Sequence, residues 1–200
     1  MRDPEPLREA LIKAGISLLE EGGAAALSLR RVAARAGVSH AAPAHHFAGL
    51  PGLWTAIAAR AFQDFAQSLQ RQVDAAPPDP RARLEATCQG YLDFAATHPG
   101  LFHIMFVSPE VNRADAGIAP HSARAYQILR DACLPFSSTS APDPVLEIAV
   151  WSMAHGYATL RLHARPAGRP MPQAPAFAAC LAALLDERTR GPLASQDEMR

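Results

Sequence analysis

The 200-residue chain reads as an all-α protein, a small N-terminal three-helix domain followed by a larger C-terminal helical bundle, about nine helices in total. Three observations predict this. Nearly every periodic segment repeats its apolar residues at three- and four-residue spacing, no useful length of sequence alternates as a strand does, and Gly and Pro fall at the ends of the periodic segments. With 49% hydrophobic residues, the chain can bury a core without disulfides or metal.

The first helix follows Pro4 and Pro6, carries Leu7, Leu11, Ile12, Ala14, Gly15, Leu18 and Leu19 on one stripe, and stops at Gly22-Gly23. Ser28 is a natural N-cap for a short second helix that turns Leu29, Val32, Ala33 and Ala36 inward and ends at Gly37. Ser39 is expected to cap a third helix, in which Pro43 is the fourth helical residue. The missing amide of Pro43 then removes only the first intrahelical bond, a loss that a 3₁₀ start accommodates. From about Pro51 a long fourth helix runs through "GLWTAIAARAFQDFAQSLQRQV". The three prolines of "DAAPPDP", residues 74–80, mark a boundary between parts. Beyond it come two helical segments closed by Pro99 and Pro109, a helix from about Pro120 to Cys133, a polar loop over residues 134–144, and the helices "VLEIAVWSMAHGYATLRLHA" and "AFAACLAALLDER". The last ten residues, 191–200, read as a disordered tail.

Cations and anions number nineteen each, so no global basic field holds the chain on nucleic acid, and any such contact must be local. All of the cations but Lys13 are Arg, which fits a GC-rich coding genome. Cys88, Cys133 and Cys180 are odd in number, far apart and without a Cys-x-x-Cys pair, which points to a reducing cytoplasm. The charged first residues lack a signal-type apolar stretch and no later run is long enough for a bilayer, so a soluble, cytoplasmic protein with no membrane contact is expected. There is no nucleophile with a base at useful spacing, no phosphate loop and no paired carboxylates, which argues against an enzyme and against a cofactor. His40, His45 and His46 lack a nearby Cys or carboxylate, and the five-residue spacing of the first two does not align them on one helical face, so no metal is expected.

The segment "LSLRRVAARAGVSHAAPAHHF", Leu27 to Phe47, combines the "VAARAGVS" core, the His46-Phe47 pair and Leu53 six residues beyond it. It resembles the N-terminal DNA-binding domain of the TetR family of transcriptional regulators, over roughly residues 7–70. "WSMAHG", Trp151 to Gly156, resembles the Trp-x-x-x-His-Gly signature of one group of TetR-type C-terminal domains, and "THPGLFHIMF" the helix break that precedes it there. That group often carries "SHAAPYxHF" in its recognition helix, which makes Pro43 an expected member of the motif. The resemblance implies a DNA-binding domain over residues 1–50, with a helix-turn-helix at about 28–47, and a ligand-binding and dimerisation domain over residues 51–190. It implies a homodimeric, ligand-responsive repressor or activator, with operator DNA and a small molecule as partners.

On that reading Ser39, His40, Ala41 and Ala42 enter the major groove, and Ser28, Arg30, Arg31 and His45 hold phosphates. The bland alternative makes Arg30, Arg31 and Arg35 a solvated helix face and His46 a packed structural residue. The chain departs from the family's pattern at Ala44, where a Tyr is usual, and at Leu50-Pro51, where a Lys-Glu pair is usual; in the family that Tyr and Lys commonly hold phosphates. In the second domain Tyr91, Phe94, Phe102, Met105, Phe106, Trp151 and His155 are the pocket candidates, in company with Met153 and Tyr157; each can equally be plain core. Cys88 and Cys133 have no neighbour in sequence that clearly lowers a thiol pKa. The last two helices are apolar over a broad arc, including Leu146, Ile148, Ala149, Val150, Leu160, Phe177, Leu181, Leu184 and Leu185, more than one internal face requires. An isologous four-helix interface between two copies accounts for the excess. The leading expectation is a repressor that releases its operator when a small apolar or aromatic effector binds. The alternative is a TetR-like small-molecule or protein-binding module with weakened DNA affinity.

Overall fold

The structure, a computed structural model, describes residues 4–139, 141–163 and 176–190. Among these residues there are eight α-helices and no strand: α1 (Pro4–Gly22), α2 (Leu29–Arg35), α3 (Gly49–Ala75), α4 (Pro80–Thr97), α5 (Pro99–Phe106), α6 (Ala119–Cys133), α7 (Pro144–His163) and α8 (Phe177–Arg190). Single 3₁₀ turns lie at Ala24–Ala26, Ala42–His45 and Leu134–Phe136. The expected 191–200 tail and the proline-rich connection before α8 lie outside the described residues.

The nine expected elements occur in order, but the third is the 3₁₀ turn Ala42–His45 and not a Ser39-capped α-helix. Pro43 explains the difference. The carbonyl of Ser39 would receive the amide of residue 43 in an α-helix, and Pro43 has none. It takes the Ala42 amide at 3.0 Å instead, and the Ala41 carbonyl takes that of Ala44 at 3.2 Å, both with three-residue 3₁₀ spacing. Ala41 stands at the cap position and no side chain caps the turn, so the expected role of Ser39 falls away. Pro43 itself is buried, and its carbonyl receives the amides of His46 and Phe47.

The other caps follow the sequence. The Ser28 hydroxyl accepts from the Arg31 amide at 3.3 Å, and Asp79 accepts from the Ala82 amide at 2.7 Å to open α4 after its proline-rich approach. Gly37 has φ +67°, the left-handed turn that separates α2 from the 3₁₀ element.

One apolar core runs from Leu11 in α1 to Leu185 in α8. Its spine is α3, whose 27 residues extend roughly 40 Å at the usual helical rise. The N-terminal turns of α3 pack against α1 and α2 through Leu53 and Ile57, both fully buried, while its later turns carry α4 and α6. At Gly90 of α4 a Cβ would stand 3.4 Å from the Leu69 Cα, so glycine permits the close α3–α4 crossing. Polar ties join the small N-terminal head to the larger body. Arg60 of α3 donates to Glu9 of α1 at 2.7 Å and to Asp64 at 2.9 Å, and His98 stands 3.7 Å from Glu20. No helix among the described residues is long and apolar enough to cross a membrane.

Candidate functional site

Two places gather the residues singled out above. The first is the outer face of the head. Arg30, Arg31, Ser39, His40, Ala41 and His45 are all exposed there, with Ser28 and Ala42 half-buried beside them. Val32, Ala33, Pro43 and Phe47 turn the other way, into the core, and the Arg8 guanidinium lies 5.7 Å above the Phe47 ring. The short elements therefore have a clear inside and outside, and the outside carries two guanidinium groups, two imidazoles and small side chains. His46 is half-buried against Phe47, as a packed histidine would be.

Arg35 does not belong to that free face. Its guanidinium reaches back to α1 and forms a fork on Glu21, at 2.7 and 2.5 Å, with Ser17 at 2.6 Å on the same nitrogen as the longer bond. The hydrogen bonds from Arg35 and Ser17 lower the Glu21 pKa to about 2. Arg35 is thus a strut that sets the angle of α2. The methyl of Ala44 is exposed beside these residues, while Leu50 is half-buried and packs against the core, so neither side chain offers a polar contact.

The second place is a cavity of about 260 Å³ enclosed by α3, α4, α5, α6 and α7. Tyr91, Met105, Phe106 and Trp151 line it. Phe94 and Phe102 do not, because helical phase turns them into the packing behind the wall. Phe94 meets Phe65 and His98 at ring separations of 5.1 Å, and Phe102 stacks on the His155 ring at 5.3 Å. His155 is also behind the wall. Its Nδ1 is 2.7 Å from the Tyr91 hydroxyl, and Phe106 meets it edge-on. Burial lowers the His155 pKa, which keeps the imidazole neutral, and burial raises that of Tyr91. The 2.7 Å bond between the phenol oxygen and Nδ1 fixes the Tyr91 ring against His155.

Several wall residues escaped the sequence reading. Phe62 and Phe65 come from α3, Tyr126 from α6, and Arg113 from the loop between α5 and α6. The aromatic pair in "AFQDFAQ" was a readable signal; Arg113, in an aperiodic loop, left none. A buried acid was missed as well. Glu147, only 1% exposed, lies on the same helical stripe as Leu146 and Val150, and a carboxylate on such a stripe marks a polar contact to come. Tyr126 donates to its Oε2 at 2.6 Å, and the Arg130 Nε is 3.6 Å from the same oxygen. Tyr126 in turn meets Trp151 edge-on at 5.9 Å, so the cavity wall and the buried acid are continuous. Cys88 also lines the cavity, but burial pushes its thiol up to about 12, which leaves no thiolate for redox chemistry. Among the described residues no group of three or more His, Cys, Asp or Glu side chains could hold a metal ion.

The sequence profile described as bacterial regulatory proteins of the tetR family matches residues 11–49, the head. The profile described as the tetracyclin repressor-like C-terminal domain matches residues 84–186, just over half of the 200 residues. The chain belongs to the TetR family. The two matches lie on either side of α3. Members of the family are transcription regulators and not enzymes. The chain is 34% identical over 91 residues to the HTH-type transcriptional regulator BetI 2 of Chromohalobacter salexigens, a match that spans 44% of each protein. It is similar to a solved protein of unknown function from Rhodococcus sp. RHA1, at TM-score 0.71 and 28% identity over 92% of this chain and 94% of that one. A tetR-family transcriptional regulator from Streptomyces coelicolor superposes at TM-score 0.63 and 25% identity, over 94% and 80% of the two chains.

Proposed function

We propose that this TetR-family protein is a ligand-controlled repressor acting as a homodimer in the bacterial cytoplasm. Residues 1–50 grip operator DNA in the major groove; residues 51–190 bind a small apolar or aromatic effector and pair with a second copy. Arg30 and Arg31, with the Ser28 and Ser39 hydroxyls and His45, hold phosphates, while His40, Ala41 and Ala42 approach the bases. With so few base-reading groups, DNA shape contributes much of the sequence preference.

The observation that carries this reading is one loop that serves both places. Residues 107–118 connect α5 to α6. Arg113 of this loop lines the cavity, and the adjacent Asn112 amide donates to the Thr55 hydroxyl at 3.1 Å. Thr55 is buried in α3, two turns from where that helix leaves the head, and donates in turn to the Pro51 carbonyl at 3.0 Å. An effector that moves Arg113 therefore pulls on the first turns of α3 and changes the set of the head. The Trp151, His155 and Gly156 signature takes part through Trp151 at the wall and His155 behind it. Gly156 has open space where a Cβ would stand.

The dimer is supported by α7. Leu146, Val150, Leu181 and Leu185 are internal, but Val145, Ile148 and Leu160 are 73%, 48% and 59% exposed. Apolar side chains so open to water on one helix suit a second copy.

Fluorescence anisotropy with the DNA upstream of its own gene tests the reading. Saturable binding by the folded dimer is expected at low salt. Arg30→Ala should weaken binding across sequences and reduce the salt slope by about 2 per dimer, one counterion for each copy. Absence of any binding at low salt would overturn the repressor reading. The exposed Ala44 favours a second reading, a binding module with weakened DNA affinity. If Ala44→Tyr converts a non-binder into a binder, that second reading stands.

A further inference from the structure

We infer that the effector is a small carboxylic acid with an aromatic body, held by Arg113 at the mouth of the cavity; the inference rests on the cavity being the effector site. The walls are aromatic and aliphatic on every side, from Phe62, Phe65 and Leu69 of α3 to Trp151 and Ala154 of α7. They demand an apolar ligand body. A cavity of roughly 150 Å³ takes up benzene, so about 260 Å³ accommodates a ligand of about ten non-hydrogen atoms.

The polarity of the ligand follows from a count of donors. Four lining side chains carry hydroxyls, and each is already hydrogen-bonded within the protein. Thr87 donates to the Arg83 carbonyl at 2.9 Å, Ser122 to the Ala119 carbonyl at 3.1 Å and Tyr126 to Glu147, while the Tyr91 hydroxyl is paired with His155 Nδ1 at 2.7 Å. The wall hydroxyls are consequently engaged within the protein and hold little in reserve for the polar end of a ligand. Arg113 is the exception. Among the described residues it is the only charged one lining the cavity and it makes no ion pair, and it is exposed at the rim. A ligand whose one polar end is a carboxylate finds there a planar, two-pronged donor, and its ring then lies among the aromatic side chains. A cationic ligand would meet the same guanidinium with like charge. The nearest buried carboxylate, Glu147, is already engaged by Tyr126 and is not part of the wall.

Three probes share a ring and a two-carbon arm and differ in the charge of the head: phenylacetate, phenylacetamide and 2-phenylethylammonium. Isothermal titration of the full-length protein at pH 7 should rank phenylacetate first by at least tenfold, the return expected of a charge-assisted hydrogen bond. Arg113→Gln should lower phenylacetate affinity to that of the amide and leave the amide unchanged. Arg113→Lys should retain the preference for the acid in part. The melting temperature of each free variant, expected to match the parent because Arg113 is exposed and unpaired, separates loss of binding from loss of fold. If the amide or the ammonium compound binds as tightly as the acid, or if Arg113→Gln binds the acid unchanged, the anion inference is overturned while the cavity remains an effector site. If none of the three binds at millimolar concentration, the inference and the cavity reading beneath it both fall.

Discussion

In the head, α2 has seven residues and the 3₁₀ turn four, whereas α3 and α7 of the body have 27 and 20. Elements of seven and four residues have no independent stability in water, so the head is held by what it packs against. Val32, Phe47 and Leu53 supply the apolar part of that support, and Arg35 on Glu21 and Ser17 supplies the polar part. The body is held differently, by rings in contact. Phe65 alone meets Tyr91, Phe94 and Phe106 at separations of 5.1, 5.1 and 6.5 Å. The contrast follows the task proposed for each part. A convex polar face for a long polyanion leaves few residues to spare for a core, while a concave apolar site is an incompletely filled core.

The contrast can be broken from either side. The largest effect is expected at Phe65, 4% exposed and shared by packing and cavity wall. Phe65→Ala should destabilise the body by about 3–5 kcal/mol, read by denaturant unfolding. Next is the link between cavity wall and buried acid. Tyr126→Phe removes the 2.6 Å bond to Glu147, whose Oε1 already lacks a partner, and should cost about 1–3 kcal/mol. Adding Glu147→Leu should recover most of that loss, because no buried acid is then left unpaired; a double variant no more stable than the single one would contradict the account.

The head should respond to acid through Glu21. Because the Glu21 pKa is lowered from 4.5 to about 2, its carboxylate supports α2 fully above that ordinary value. The support disappears as the pH falls through this window. Amide-exchange protection of α2 relative to α4 should therefore drop between about pH 4.5 and pH 2, and Arg35→Ala should abolish that pH dependence by holding α2 at its low, acid-like protection above pH 4.5 as well. The smallest effect is expected at Pro43. Pro43→Ala restores the amide that the Ser39 carbonyl lacks and lets the 3₁₀ turn lengthen toward an α-helix, with a stability change below about 1 kcal/mol. Hydrogen exchange at residue 43 and thermal melting report the two parts of that expectation.

Helix order, the Ser28 cap, the turn at Gly37 and the inward stripe of α2 were legible because each depends on residues within a turn or two of one another. The nature of the third element was only half legible. The effect of Pro43 on one hydrogen bond could be read, but the absence of a cap from Ser39 depended on how the turn docks on the core. The pocket shows the same limit. Aromatic residues on α4, α5 and α7 were identifiable by type, yet the sequence does not say which of them face a shared void. The phase of each helix against the others turns Tyr91 and Phe106 to the cavity and Phe94 and Phe102 away from it.

By itself, then, the sequence determined an all-helical chain with a reading head before a long spine, since helical period and turn residues are local properties. Only the tertiary structure decided that Arg35 is a strut while Arg30 is exposed, that His155 supports Tyr91 from behind, and that Arg113 reaches the cavity. Such roles depend on contacts between residues far apart in the chain. Arg35 and Glu21 are fourteen residues apart, and Tyr91 and His155 sixty-four; no periodicity within either helix encodes the meeting.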